Sequence, residues 1–141
     1  RLWLELVKLR ATLLARSNGF GAADRVLLGA LQECGDVGVN ARDLQLWRVR
    51  IGLDIGLPTA SLQGLLRDVR AYPVSPETQY LAGRIAELAG SQDAARRAYA
   101  QAIRIDQAHV PSLERLVELE PGQHHSQRLA ELFAPDEPAS R

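Results

Sequence analysis

Cysteine, methionine and lysine are almost absent from this sequence, and so are net charge and long apolar runs. Cys34 is the only cysteine, so the chain cannot form an internal disulfide, and a reducing, soluble compartment is the expected setting. Seventeen basic and seventeen acidic residues give a formal net charge of zero, so no overall positive field is available to hold a nucleic-acid backbone. No apolar run approaches the roughly 20 residues that cross a bilayer. We therefore expect neither bulk nucleic-acid binding nor a membrane partner.

The residues that are present suffice for one folded domain. Hydrophobic residues make up 46% of the 141 residues and charged residues 24%, a composition that can bury a core. We expect a helical domain over residues 1–134 and a flexible tail over 135–141. Residues 2–14 already have a helical pattern and the chain starts without methionine, so we also expect a piece of a longer protein.

A spaced pattern occurs four times: a large apolar residue, an apolar or small residue six positions later, and then usually a charge. The copies are Trp3/Leu9/Arg10, Trp47/Leu53/Asp54, Tyr80/Ala86/Glu87 and Leu113/Leu119/Glu120, with first residues 44, 33 and 33 positions apart. A period near 34 residues is typical of helix–turn–helix units, because two helices of about 13 residues and two turns use that much chain. The pattern predicts an all-α superhelix of about four helix pairs.

Apolar spacing and helix-breaking residues predict eight helices, the last of which caps the open end of the stack. Four of them are expected at about 2–15, 22–33, 59–71 and 126–133. Asn40, Ser75 and Ser91 are the expected N-caps of three others, and Pro111 begins the fourth pair.

Each helix is expected to bury a stripe of apolar residues. Trp3 and Trp47 recur with the repeat period, so we expect both to pack in the core rather than to stack on RNA bases. The expected stripes are Leu2, Leu6, Leu9 and Leu13 on the first helix, Trp47, Ile51 and Ile55 on the third, Leu62, Leu65, Leu66 and Val69 on the fourth, and Leu129, Leu132 and Phe133 on the last.

The third helix pair resembles a tetratricopeptide (TPR) repeat. Gly83, Ala95, Tyr99 and Ala102 fall where that repeat places its small residues and its aromatic residue. Gly56 and Gly90 are 34 positions apart and occupy equivalent turns. The tryptophan with an apolar residue at plus six and an acid at plus seven also resembles the half-a-tetratricopeptide (HAT) repeat. These resemblances imply a HAT/TPR-like solenoid.

A narrower resemblance lies near the start of the chain. The stretch 1–5 (RLWLE), Val7, Leu9 and the stretch 30–34 (ALQEC) resemble the C-terminal repeat region of the pre-mRNA-processing factor six family. That family implies a non-catalytic scaffold of the spliceosomal tri-snRNP, located in the nucleus and bound to snRNP proteins. It implies no cofactor, no metal and no small-molecule substrate.

In TPR register, the first helix of each pair lines a concave face that binds partners. The residues expected on that face are Lys8, Arg50, Arg84, Glu114 and Glu118. A solvated charge on a helix surface is the simpler interpretation of each of them. The carboxylate clamp of chaperone-binding TPR domains requires asparagines and lysines that Leu46, Arg50, Tyr80 and Arg84 do not supply, so we expect no chaperone-tail binding.

Other candidate sites have simpler structural interpretations. His124 and His125 are adjacent, so on a helix their side chains diverge by about 100°, which is poor geometry for one metal ion. Gly19-Phe20-Gly21 precedes a helix as a phosphate loop does, but no strand precedes it, so an inter-helix turn explains it. Cys34 lies near a helix C-terminus, which disfavours a thiolate, so we expect a structural thiol.

Two other functional interpretations stay open at this stage. The chain could be a generic TPR module of a bacterial secretion, envelope or regulatory protein, in the cytoplasm or periplasm. The absence of methionine and the single lysine, Lys8, suggest a GC-rich coding sequence. It could also be the non-catalytic arm of an enzyme whose active site lies elsewhere, because no pair of catalytic groups has a meaningful spacing here.

Overall fold

A computed structural model describes residues 2–35 and 38–134 of the chain. Within those ranges the chain forms eight α-helices and no β-strand, which confirms the predicted all-α architecture. The predicted tail at 135–141 lies outside the described residues. The helices are α1 Leu2–Asn18, α2 Phe20–Glu33, α3 Gly38–Ile55, α4 Thr59–Val69, α5 Pro76–Leu88, α6 Gln92–Ile105, α7 Val110–Leu119 and α8 His125–Leu132.

The helices pack as four consecutive pairs, from α1/α2 to α7/α8. The second helix of each of the first three pairs also contacts the first helix of the next pair. In addition, α1 contacts α3 and α3 contacts α5, so the first helices of three pairs lie side by side. Neighbouring pairs therefore stack on one another as in a helical-repeat superhelix.

Gly56 and Gly90 close the ends of α3 and α5 in the same way. Both have a positive φ, of 86° and 83°, a conformation that glycine adopts without steric strain. In each turn the amide after the glycine donates to a carbonyl five residues earlier, at 3.0 Å after Gly56 and 2.9 Å after Gly90. A hydrogen bond of this type is common at the C-terminal ends of helices. The two turns confirm the 34-residue spacing inferred from the sequence.

The small residues and the aromatic residue of the third pair lie in the contact between α5 and α6. Gly83, Ala95, Tyr99 and Ala102 are all buried, and Tyr99 has no exposed surface. A Cβ added at Gly83 would lie 2.7 Å from Cζ of Tyr99, which is too close for two carbon atoms. The missing side chain of Gly83 therefore allows the Tyr99 ring to lie against α5.

The predicted apolar stripe of α1 is wrong, because its four leucines are 54 to 74% exposed. The residues that pack against α2 and α3 are instead Leu4, Val7, Ala11 and Leu14. Since α1 is apolar on two opposite faces, spacing alone could not decide which face lies inward. The stripe predicted for α4 is confirmed, with all four of its residues buried.

Three other burial predictions are also wrong. Ile55 is the last residue of α3 and is 42% exposed. Trp3, in the first turn of α1, is 40% exposed and lines a depression between α1 and α2. Helix α8 packs only on α7 and buries none of its residues, so Leu132 and Phe133 are 40% and 69% exposed.

The predicted N-caps have mixed outcomes. Ser75 is confirmed, since its Oγ accepts a hydrogen bond of 3.2 Å from the amide of Thr78 at the start of α5. Ser91 occupies the N-cap position of α6, but its side chain makes no capping hydrogen bond. Asn40 is not a cap, because α3 begins two residues earlier at Gly38 and Asn40 lies within its first turn.

A buried arginine joins the first two helix pairs. The guanidinium of Arg48 on α3 donates two hydrogen bonds to Asp24 on α2, at 2.6 and 3.0 Å, and one of 3.0 Å to Asp68 on α4. It also donates to Gln45 at 2.9 Å. Burial lowers the pKa of Arg48, but the hydrogen bonds and charges of the two aspartates outweigh it and raise the pKa. This arginine is therefore fully ionised and bridges three helices.

A second polar cluster joins the last two pairs. Glu87 on α5 accepts hydrogen bonds from Arg115 on α7, at 3.0 Å from Nε and 2.5 Å from Nη2, and a short one from the Tyr99 hydroxyl on α6. Burial raises the pKa of Glu87, but the hydrogen bonds from Arg115 and Tyr99 and the neighbouring positive charges lower it overall. Burial and the charge of Glu87 raise the pKa of Tyr99.

The lowered pKa of Glu87 predicts a dependence of stability on pH. The folded chain binds this proton more weakly than the unfolded chain does, so the stabilisation is complete above pH 4.5 and is lost as the pH falls through the folded pKa. We expect Glu87→Gln to lower the free energy of unfolding at pH 7 by about 1–2 kcal/mol, since two charged hydrogen bonds are lost. Urea unfolding of both proteins from pH 7 to pH 3 should show this difference shrinking. A constant difference over that range would contradict the prediction.

Candidate functional site

The first helices of three pairs form a groove that is centred on Trp47. A depression of about 510 Å³ lies between α1, α3 and the start of α5, and its walls include Lys8, Arg42, Glu77 and His109. A second depression, of about 150 Å³, continues along α3 and α5 towards Tyr80 and Arg84. Trp47 and Arg50 line both depressions. We call these two connected depressions the Trp47 groove.

Trp47 is half-buried rather than fully buried. Its indole Nε1 donates a hydrogen bond of 3.1 Å to Oγ1 of Thr12 on α1, which fixes the ring orientation between the two helices. The Lys8 ammonium lies 5.0 Å from the ring centroid and the Arg50 guanidinium lies 5.7 Å from it. Both cations are within the range of cation–π attraction. The ring therefore packs on the core and also presents a surface between two positive charges.

Most of the charged groups in the groove are paired. Lys8 lies 2.5 Å from Oδ2 of Asp43 and Arg50 forms a short ion pair with Glu77, so each joins two different helices. Arg84 differs, because its Nη1 donates a 3.1 Å hydrogen bond to the Tyr80 hydroxyl and it forms no ion pair with any described carboxylate. Arg84 is therefore a cation that a carboxylate of a partner could approach.

The groove ends at the junction with α7. His109 precedes α7, and its ring contacts the Tyr80 ring edge-on with centroids 5.8 Å apart. Its Nδ1 lies 2.8 Å from Oγ of Ser112, which is buried. The rings of Tyr80 and Tyr99 are also in contact, at 5.9 Å. Aromatic contacts thus hold the α5 end of the groove against the fourth pair.

The structure brings together three of the five residues predicted for partner binding. Lys8, Arg50 and Arg84 all line the Trp47 groove. Glu114 and Glu118 are exposed on α7 and line neither depression. Sequence reasoning did not include Trp47 and Tyr80 in the site. Both were the first residues of the repeated pattern, which we had interpreted only as packing positions.

The remaining candidates show no chemical site. Within residues 2–35 and 38–134, no three His, Cys, Asp or Glu side chains lie close enough to hold a metal ion. His125 lies 2.7 Å from Oε1 of Glu120. The segment Gly19-Phe20-Gly21 was predicted to be an inter-helix turn, but only Gly19 lies between the helices, because α2 already begins at Phe20. None of the described helices is both long and apolar enough to cross a membrane.

Comparisons with known proteins bear on the repeat class. No protein-family model matches the chain. The chain is similar to human tetratricopeptide repeat protein 7B, with 36% identity over 74 residues. The similar region covers 51% of this chain but only 9% of that protein's length. The resemblance to the pre-mRNA-processing factor six family is not confirmed. Together with the stacked helix pairs, the similarity supports a TPR-like helical-repeat protein, a fold that typically serves as a non-catalytic interaction scaffold.

Proposed function

We propose that this chain is a protein-interaction module that binds an extended, acidic segment of a partner protein in the Trp47 groove. The observation that carries the proposal is the position of Trp47, a half-buried ring between Lys8 and Arg50 at the centre of a groove formed by three helix pairs. Tryptophan, tyrosine and arginine are the residues that most often dominate the binding energy of protein interfaces. All three residue types line this groove.

The charges of the groove favour an acidic partner. Four cations line the two depressions, namely Lys8, Arg42, Arg50 and Arg84, against the three carboxylates of Asp43, Asp54 and Glu77. Arg42 donates only to the carbonyl of Pro73, at 3.4 Å, and Arg84 only to a hydroxyl. These two arginines can therefore pair with carboxylates of a partner without breaking an ion pair within the chain. Such pairs are stronger inside a groove than on an open surface.

Charge reversal at Arg84 tests this proposal. Affinity purification from the cells that produce the protein should recover partners whose amount falls at least about tenfold with Arg84→Glu, because a lost interfacial anchor costs about 1.4 kcal/mol or more. The control is Arg97→Glu on α6, since Arg97 is exposed and forms no ion pair with the described residues. Circular dichroism should show both variants folded. Unchanged recovery of every partner with Arg84→Glu would exclude the Trp47 groove as the binding site.

A role in pre-mRNA splicing, with snRNP proteins as partners in the nucleus, is a narrower proposal. It rests only on the resemblance of the stretches 1–5 and 30–34 to one splicing-factor family. The same purification tests it, because a splicing scaffold should recover snRNP proteins. If only secretion, envelope or regulatory proteins were recovered, the chain would still be an interaction module, but the splicing role would be excluded.

A further inference from the structure

Helix α1 exposes a row of four leucines on the side that faces away from the stack. Leu2, Leu6, Leu9 and Leu13 are 74, 54, 55 and 56% exposed. They follow one another at intervals of four, three and four residues, so they form one continuous stripe. We call this stripe the leucine seam. The opposite face of α1 packs on α2 and α3, so α1 is apolar on both sides, as is typical of a helix covered on both sides.

The leucine seam differs from the faces that the stack uses between its own pairs. The face of α3 towards α1 and α2 carries Ala41, Leu44 and Ile51 together with Arg48. The face of α5 towards α4 carries Leu81, Ala82 and Ile85. Both faces contain alanine, which allows close approach of helices. The seam contains only leucines, at the spacing of the a and d positions of a two-stranded coiled coil.

The charges beside the seam are complementary to those of a second copy. With Leu2 and Leu9 at d and Leu6 and Leu13 at a, Glu5 falls at g and Arg10 at e. In a parallel coiled coil, a g residue faces the e residue five positions later on the other helix. Glu5 of one copy would therefore face Arg10 of the other, twice in a symmetric dimer. Arg10 forms no ion pair with the described residues, and Glu5 is 67% exposed although it lies 3.4 Å from Lys8.

Arg10 also breaks the repeated pattern in a way that fits this pairing. The equivalent position of the other three copies is acidic, as Asp54, Glu87 and Glu120. Glu87 forms an ion pair with Arg115 and Glu120 lies 2.7 Å from His125, whereas Asp54 forms no ion pair with the described residues. Arg10 instead lies at the edge of the seam without such a partner. Because position 10 is basic where the other copies are acidic, Arg10 can form an ion pair with Glu5 of a second copy.

We propose that a second copy of this chain covers the leucine seam, with two α1 helices pairing side by side in parallel about a two-fold axis. Such an interface is isologous, since each copy contributes the same leucines and both members of the ion pair. Trp47 lies on α3 and is not part of the seam, whereas its hydrogen-bond partner Thr12 falls at the second g position, beside the seam. The interface is small, so the dimer dissociates at micromolar concentrations.

The mass of the protein in solution tests this arrangement. Light scattering after size-exclusion chromatography should give a mass that rises from 15.5 kDa towards twice that value as the concentration rises from about 1 to about 200 µM. Leu6→Gln with Leu9→Gln should weaken the dimer at least about tenfold. The matched control is Leu28→Gln with Leu88→Gln, two leucines that are also exposed but lie outside the seam. The control should dimerise like the unmodified chain.

Charge exchange tests the orientation. Arg10→Glu places two carboxylates against each other and should weaken the dimer about tenfold. Adding Glu5→Arg recreates both ion pairs with reversed signs and should restore it, whereas an antiparallel pairing would not be restored. The proposal would be overturned by a constant monomer mass at about 200 µM. It would also be overturned if Leu6→Gln with Leu9→Gln left the dimer unchanged. A monomer would mean that a second copy of α1 does not cover the seam.

Discussion

Arg48→Met is expected to lower the free energy of unfolding by about 3–5 kcal/mol, the largest effect of any single substitution considered for this protein. The side chain of Arg48 is 9% exposed and that of Asp24 is 15% exposed, so removal of the guanidinium leaves a buried carboxylate without its cation. Asp68 is 53% exposed and can turn to solvent, which limits the effect to one uncompensated charge. Urea unfolding at pH 7 measures the difference.

Two further variants identify the cause of that loss. Arg97→Met removes an exposed arginine from α6 and should change the stability by less than about 0.5 kcal/mol. Asp24→Asn added to Arg48→Met removes the unpaired charge and should recover about half of the lost free energy. If Arg48→Met were as mild as Arg97→Met, the three-helix bridge would not stabilise the stack.

Gly83→Ala is expected to destabilise the protein by about 2–3 kcal/mol, because the added methyl group overlaps the Tyr99 ring. Neither side can yield easily, since Tyr99 is completely buried and its hydroxyl is held by Glu87. The same substitution at Gly29 is the control, because Gly29 lies within α2 and a Cβ there meets no atom within 4 Å. Gly29→Ala should stabilise by about 0.5–1 kcal/mol through helix propensity alone.

Thermal and urea unfolding of the two glycine variants distinguish the effect of packing against Tyr99 from the effect of helix propensity. Opposite signs at the two positions would establish that α5 and α6 are in contact at Gly83. A Gly83→Ala protein as stable as the unmodified chain would mean that these helices can separate without loss. The alignment of the third pair with the TPR pattern would then be wrong.

The sequence predicted the helix pairs because the features that define them are local. Glycine at 56 and 90 and proline at 76 and 111 mark turns and helix starts within a few residues of where the structure has them. Helix α4 has a single apolar stripe, so its buried residues were predicted correctly. Helix α1 has two such stripes, and only its contacts with α2 and α3 determine which one is buried.

The polar bridges could not be predicted in the same way. Arg48 reaches Asp24 and Asp68 across 24 and 20 residues of sequence, and Arg115 reaches Glu87 across 28. No spacing rule connects residues on different helices at such separations. The groove was predicted in part, because the TPR register placed Lys8, Arg50 and Arg84 on the first helices. The role of Trp47 was missed because one ring both packs on the core and lines the groove.

Because of these two polar bridges, the junctions between successive helix pairs are held by different kinds of interaction. Asp24–Arg48–Asp68 strengthens the junction of the first and second pairs, and Glu87–Tyr99–Arg115 strengthens the junction of the third and fourth. The middle junction packs leucines, two valines and Ile85 of α3, α4 and α5, and its one ion pair among the described residues, Arg50–Glu77, is less buried than Asp24–Arg48. Apolar contacts weaken on cooling, whereas ion pairs respond to salt and acid. Acid would therefore loosen the stack at the junction of the third and fourth pairs, where Glu87 has a lowered pKa, whereas cold would act on the apolar middle junction.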